Sequence, residues 1–225
     1  MQIVVAPSSI PRPWTPFPTS GACTIMPLGT SITNGKYGNN VQDSRGGYRG
    51  PLLDRLRLAN SRVDFVGSQT GPSGTGSGHE GYAGVTTAGV AAIISARLST
   101  YTPHAVIVEL GMNDANTGAA ATSCATDVID PCLTAGCLVL VQNVIPTYAP
   151  SLHPTYNAQL AIEVANRRAA GKRIELVDMF NLCGLVVGPG DYTESAAGAA
   201  DWVHPNSIGY QKMASPLFDH LSRYL

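Results

Sequence analysis

Apolar positions along the chain follow two alternating patterns. Five short runs are apolar at nearly every position, namely 23–28, 63–66, 105–110, 137–144 and 173–177, each rich in Val, Ile or Leu. A strand with one wet face alternates apolar and polar residues, whereas an unbroken run suits a strand buried on both faces, so these segments read as parallel strands. Between them apolar residues recur at helical spacing. Gly47 to Ala59 carries Leu52, Leu53 and Leu56; Thr86 to Leu98 carries Val90, Ile93, Ile94 and Leu98; Pro154 to Ala170 carries Leu160 and Val164; Asn206 to Tyr224 carries Met213, Leu217 and Leu221. Alternating β and α elements predict a doubly wound, three-layer α/β/α sandwich around a five-stranded parallel sheet of flavodoxin-like type, with right-handed crossovers. In the order 2-1-3-4-5, strands one and three flank the topological switch, where ligands bind in such sheets.

The polar residues at the carboxyl ends of those strands carry the candidate chemistry. Gly29-Thr30-Ser31-Ile32-Thr33-Asn34-Gly35 follows strand one and puts Ser31 at its mouth. A serine hydroxyl is a poor nucleophile unless a histidine takes its proton. Asp201-Trp202-Val203-His204-Pro205-Asn206 supplies one: the three-residue spacing lets a local turn bring the carboxylate to the imidazole Nδ1, leaving Nε2 to accept the serine proton. Because a residue before proline is biased to extended conformations, His204 is expected on a loop ahead of a helix that begins near Asn206. Gly111-Met112-Asn113-Asp114 follows the strongest strand signal, and Gly84 closes a glycine-rich segment just before a helix. The Ser31 and Gly84 N–H groups and the Asn113 amide are candidate oxyanion donors, each worth about 3 kcal/mol of transition-state stabilisation. In isolation Gly84 also reads as a turn glycine and Asn113 as a cap or Asx-turn residue.

Taken together, Gly29-x-Ser31-x-Thr33-x-Gly35, the glycine at 84, Gly111-x-Asn113-Asp114 and Asp201-x-x-His204-Pro205 resemble, in order and spacing, the blocks of the SGNH hydrolases, the GDSL-type esterases. The resemblance covers the chain from about Cys23 to the C-terminus. It implies Ser31 as nucleophile, His204 as base, Asp201 as its orienting partner, and Ser31, Gly84 and Asn113 as the oxyanion hole. Ile25 to Gly29 with Gly78 to Gly84 is most similar to carbohydrate esterase family three, which includes acetyl xylan esterases. The implied activity is removal of short acyl, above all acetyl, groups from a carbohydrate such as acetylated xylan. The alternatives are a lipid-directed esterase or lysophospholipase with the same triad, or a non-catalytic carbohydrate-binding module. The sequence departs from the family at one place: Thr30 stands where the family's Gly-Asp-Ser has aspartate, which leaves open what holds the serine loop.

Composition narrows the partners. The chain has 225 residues, 44% hydrophobic and 13% charged, enough for one hydrophobic core. With Lys+Arg 14 against Asp+Glu 15 the net charge is −1 and no long basic cluster exists, which disfavours nucleic acid or anionic membrane as partner and suits a neutral ester or acetylated carbohydrate. No apolar run approaches the roughly 18 residues of a membrane span. A monomer is expected. Residues 1–21 read as a proline-rich lead or linker and 22–225 as one catalytic domain. Met1 to Ala6 lacks a basic n-region and runs into prolines, so an export signal is absent or trimmed, and a secreted enzyme is expected.

Of the five cysteines, Cys124, Cys132 and Cys137 cluster and admit one disulfide, while Cys23 and Cys183 lie in apolar stretches. Their spacing does not match a zinc site; no metal and no cofactor are expected. Gly76 to Gly81 satisfies Gly-x-Gly-x-x-Gly but does not join a strand end to a helix, and the nucleophile-elbow pattern Gly-x-Ser-x-Gly does not occur. His79, His104, His153 and His220 are the other histidines available as bases; none has an aspartate three residues upstream. Residues 71–84 and Trp202 are expected to shape the cleft.

Overall fold

The computed structural model describes residues 16–37, 41–72, 78–147, 153–194 and 200–225. Strand β1 (Cys23–Gly29) ends on the one-turn helix α1 (Ser31–Asn34), followed by the antiparallel pair β2 (Lys36–Tyr37) and β3 (Val41–Gln42). Helix α2 (Arg49–Ala59) leads to β4 (Val63–Phe65), β5 (Gln69–Thr70) and β6 (Gly78–Gly81), then to helices α3 (Thr87–Ala91) and α4 (Ile94–Tyr101). After β7 (Ala105–Glu109) come α5 (Met112–Asn116), α6 (Ala121–Cys124), a π-helical stretch at Ala125–Ile129, and α7 (Asp130–Thr134). Then follow β8 (Leu138–Gln142), α8 (His153–Ala169), β9 (Ile174–Val177), α9 (Met179–Leu182), β10 (Tyr192–Glu194), β11 (Ala200–Pro205) and α10 (Ser207–Leu221).

All five predicted strands form, and they pair in parallel with β1 between β4 and β7, followed by β8 and β9. The sheet is larger than the five-stranded parallel one expected from sequence: it has seven strands and is mixed. The lane beside β1 is split. β4 pairs with Cys23 to Ile25, whereas β6 pairs with Leu28 and Gly29, and β5 runs antiparallel to β6. Gly-His-Glu-Gly has no apolar run to announce a strand, yet Gly78 must be glycine because a Cβ there would lie 2.6 Å from the Val66 backbone. Helices α2 and α10 pack against each other, and α4, α7, α6 and α8 form the other helical layer, giving a three-layer α/β/α architecture.

The expected helix 86–98 is two helices. The Ile93 N–H bonds to Val90 O, a partner three residues back, which tightens the turn between α3 and α4 while Val90, Ile94 and Leu98 stay buried at i, i+4, i+8 spacing. The helices between β7 and β8 give little sequence signal because each is only a turn or so long and carries few Leu, Ile or Val. Their buried stripe includes Cys124, Val128 and Cys132. Those cysteines are core residues of a helical face, about 12 Å apart along it at 1.5 Å per residue, too far for a bond to each other. All five cysteines are buried free thiols, and Cys137 donates to Pro103 O at 3.1 Å, so the disulfide expected in the cluster is not formed. At the N-terminal side Phe17 belongs to the core, and Arg62 Nη1 donates to the carbonyls of Pro18 and Gly21. Residues 1–15 of the proline-rich lead lie outside the described residues.

Candidate active site

The serine turn is a single helical turn, so its backbone groups have almost no intrahelical partners and others must supply them. Thr30 is the N-cap, with extended backbone and a hydroxyl that accepts from Ile32 N at 3.3 Å; Gly35 closes the turn at φ 85°, a conformation that favours glycine. At the donor end, Glu109 Oε2 accepts from Thr30 N at 2.9 Å, Thr33 N at 3.1 Å, Thr30 Oγ1 at 2.9 Å and Thr33 Oγ1 at 3.0 Å. At the acceptor end, buried Arg49 donates through Nε to Thr33 O at 2.9 Å and through Nη2 to Asn34 O at 3.3 Å. Burial pushes the Glu109 carboxyl up to about 7, with the Thr30 and Thr33 hydrogen bonds pulling the other way, and burial lowers Arg49 to about 10. Both ends of the Ser31 turn are therefore clamped.

His204 reaches the serine from the opposite direction. It lies on β11, not on the expected loop. Thr193 pairs with Asp201 and its neighbour Tyr192 with Pro205, so residues 202–204 form an irregularity in the β10/β11 ribbon. The extended backbone asked for by Pro205 is met, but in a bulged strand from which the His204 side chain reaches Ser31. Its Nε2 lies 2.8 Å from Ser31 Oγ, and its Nδ1 lies 2.9 Å from Asp201 Oδ2. Asp201 Oδ1 also accepts from Val203 N and His204 N at 3.2 and 3.4 Å, closing the local turn. With Nδ1–H donating to Asp201, Nε2 is left as the acceptor for the Ser31 O–H. The helix after Pro205 starts at Ser207, with Asn206 as N-cap accepting from Ile208 N and Gly209 N.

The three oxyanion candidates are brought to the same sheet edge by a second set of ties. The Asn113 Nδ2 donates to Val85 O at 2.7 Å, and Asp114 accepts from Thr87 N at 2.9 Å, so α5 is bound to the segment that carries Gly84. One amide hydrogen of Asn113 is used in this way, and the other remains. Gly84 has φ 75°, and a Cβ there would meet nothing within 4 Å: glycine is required by the backbone, not by crowding. Neither the Ser31 N–H nor the Gly84 N–H has an acceptor among the described residues. Strand β6 docks this segment onto the serine turn through Tyr82 N to Gly29 O at 2.9 Å and Asn34 Nδ2 to Gly81 O at 3.0 Å.

A profile of the GDSL-like Lipase/Acylhydrolase family matches residues 28–212, most of the chain, and spans all of these blocks. The chain belongs to that family. This GDSL-type hydrolase is similar in structure to a family 3 carbohydrate esterase from Clostridium thermocellum, with TM-score 0.74 and 29% identity over 90% of this chain and 98% of that one. An acetyl esterase mutant solved with acetate ion gives TM-score 0.71 at 24% identity, covering 89% and 96%. A family 3 carbohydrate esterase from Talaromyces cellulolyticus gives 0.69 at 24%, covering 89% and 96%. No curated protein matches the sequence. Membership makes the chain a serine-type carboxylic ester hydrolase.

The other histidines of this GDSL-type hydrolase are engaged elsewhere. His79 is buried in β6, where its Nδ1 accepts from Gly81 N at 3.0 Å, and burial beside Arg49 drives it down to about 3. His104 sits at the opposite end of the sheet against Thr24, His153 lies between Thr147 and Asn116, and His220 donates to Glu175. Trp202 is half-buried against the core, and part of the 71–84 cleft segment, 73–77, falls outside the described residues. Glu109 and Arg49 were missed by sequence reasoning. A glutamate ending an otherwise apolar run, Ala105-Val106-Ile107-Val108-Glu109-Leu110, was the available signal.

Proposed function

We propose that Ser31, His204 and Asp201 are the catalytic triad and that the Ser31 N–H, the Gly84 N–H and the Asn113 amide stabilise the oxyanion. The observation that carries this reading is the continuous line from Asp201 Oδ2 through His204 to Ser31 Oγ, at 2.9 and 2.8 Å. His204 Nε2 takes the serine proton as Ser31 Oγ attacks the ester carbonyl carbon, and the carbonyl oxygen becomes the oxyanion. The alkoxy leaving group departs with that proton, leaving an acyl-serine. Water, deprotonated by His204, then attacks the acyl carbon, releasing the carboxylic acid and restoring the serine.

The substrate we infer is an acetylated carbohydrate such as acetylated xylan, supported by the 29% identity to a family 3 carbohydrate esterase and by the near-neutral charge of the chain. Such a polymer does not cross membranes, so the reading carries with it a secreted enzyme acting as a single catalytic domain. Among the described residues no helix is long and apolar enough to cross a membrane. The test is acetate release from acetylated xylan beside hydrolysis of p-nitrophenyl esters of increasing chain length. Acetate should be the preferred ester by at least about tenfold over octanoate, and Ser31→Ala should abolish both activities while the circular dichroism spectrum is kept. Turnover by Ser31→Ala removes the serine from the mechanism; a preference for long acyl chains points to a lipid-directed esterase.

A further inference from the structure

In this chain the carboxylate that fastens the nucleophile loop comes from the neighbouring strand. An aspartate at position 30, the N-cap of α1, would accept the N–H groups of the second and third helical residues, Ile32 and Thr33. Thr30 has one oxygen for that task, and it takes only Ile32 N. The Thr33 N–H is taken by Glu109, which also holds the Thr30 N–H and both threonine hydroxyls. Space has been made for it. A Cβ at Gly29 would lie 2.6 Å from Glu109 Oε2 and 2.5 Å from Thr33 Oγ1, although the Gly29 backbone is not in the left-handed region. The arrangement is built in depth: Thr33 Oγ1 lies 3.0 Å from the Tyr48 hydroxyl, and Thr30, Thr33, Tyr48 and Glu109 are all buried.

We propose that Glu109 is a positioning residue for Ser31, standing in from the neighbouring strand for the loop aspartate and holding the serine turn through Thr30 and Thr33. It does not touch the reacting atoms. Its role is to keep Ser31 Oγ at hydrogen-bond distance from His204 Nε2, and so it rests on the reading of Ser31 as nucleophile. Each of its backbone contacts bridges 76 or 79 residues of sequence, so the turn is fixed by β7 and not by its own local sequence. Charge-assisted hydrogen bonds of this kind are about twice as strong as neutral ones, which is why a carboxylate and not an amide is expected at such a position.

The test moves the charge back. At about pH 8, Glu109→Gln should lower kcat by about 10- to 100-fold with KM changed less than about twofold, since a loosened nucleophile affects the reacting geometry and not ester binding. Thr30→Asp alone places two carboxylates together and should also lower kcat by at least about tenfold. The double variant T30D/E109Q restores one carboxylate to the cluster and should recover at least about tenfold over either single variant. A fully active Glu109→Gln overturns the proposal, as does a double variant whose loss equals the product of the two single losses. If Glu109→Gln does not fold, the double variant decides: folded and active supports the transfer, unfolded overturns it. Ser31→Ala is assayed alongside. Activity in Ser31→Ala defeats the nucleophile assignment itself, whereas an inactive Ser31→Ala with no recovery in the double variant defeats only the role given to Glu109.

Discussion

The two ends of the parallel strands carry similar side chains, yet among the described residues only the carboxyl end brings the proposed catalytic groups together. At the amino end a cavity of about 920 Å³ opens beside Pro16, Leu98, Pro103, His104, Cys137 and Arg173. It contains a histidine, a thiol and the Asp130 carboxylate, but each is tied to another neighbour and not to the other two. His104 Nδ1 lies 2.7 Å from Thr24 Oγ1, Cys137 donates to Pro103 O, and Asp130 takes both Nε and Nη2 of Arg167 at 2.7 and 2.8 Å. At the carboxyl end the groups point at one another and leave capacity over: the Ser31 and Gly84 N–H groups have no acceptor among the described residues, and Asn113 uses only one amide hydrogen. Convergence with unused donors, and not concavity, is what marks the candidate site. That convergence belongs to the carboxyl edge because the turns after β1 and β7 both emerge there, beside the switch in strand order.

The most severe test of the contrast is a pair of histidine variants. His204→Ala should cost about 10⁶-fold in kcat, as removal of a triad base does, while His104→Ala should leave kcat within about twofold. Steady-state hydrolysis of p-nitrophenyl acetate measures both, and comparable losses would erase the distinction between the two ends. Next in size, Asn113→Ala should lower kcat by about 100- to 1,000-fold with little change in KM, since the amide acts on charge that develops in the transition state. A loss confined to KM would move Asn113 from the oxyanion hole to ground-state binding.

A smaller effect concerns stability, and it separates the two buried titratable groups beneath the site. Glu109 is raised from 4.5 to about 7, so its contribution is fully present below pH 4.5 and is lost as pH rises through 7. His79 is lowered from 6.5 to about 3, so its contribution is present above pH 6.5 and is lost as pH falls toward 3. Between about pH 4.5 and 6.5 the two slopes oppose each other, each at most about 1.4 kcal/mol per pH unit. Glu109→Gln removes one of them. Urea unfolding should therefore show that variant losing stability on acidification across this window more steeply than the parent chain. Equal slopes in the two proteins would mean that Glu109 does not titrate there.

The candidate site was legible in sequence wherever a residue's role depends on its immediate neighbours. Asp201 and His204 are three residues apart and meet within one local turn, and Ser31 follows its strand directly, so type and spacing sufficed. The strand status of His204 was not legible, because β11 exists only through pairing with Tyr192 and Thr193 on a separate segment. Strand β6 was hidden for the same reason. Its residues are glycine, histidine and glutamate, and only pairing with β5 on one side and with Leu28 and Gly29 on the other makes them a strand. The cysteine cluster misled because three cysteines so close in sequence suggested a bridge, whereas Cys124 and Cys132 lie on a buried helical stripe and Cys137, just ahead of β8, donates to Pro103 O.

What the sequence determined by itself is the alternation of buried strands and amphipathic helices, and the short-range placements on which Ser31, His204 and Asp201 are proposed as nucleophile, base and orienting acid. Those follow from periodicity and short-range geometry, which are local properties of a chain. What only the tertiary structure decided is how the serine turn is held. Its Thr30 and Thr33 N–H groups are taken by Glu109 from β7 and its Thr33 and Asn34 carbonyls by Arg49 from α2, through contacts spanning 15 to 79 residues. A one-turn helix cannot satisfy its own end groups, and which distant side chain does so is fixed only when the strands are laid side by side.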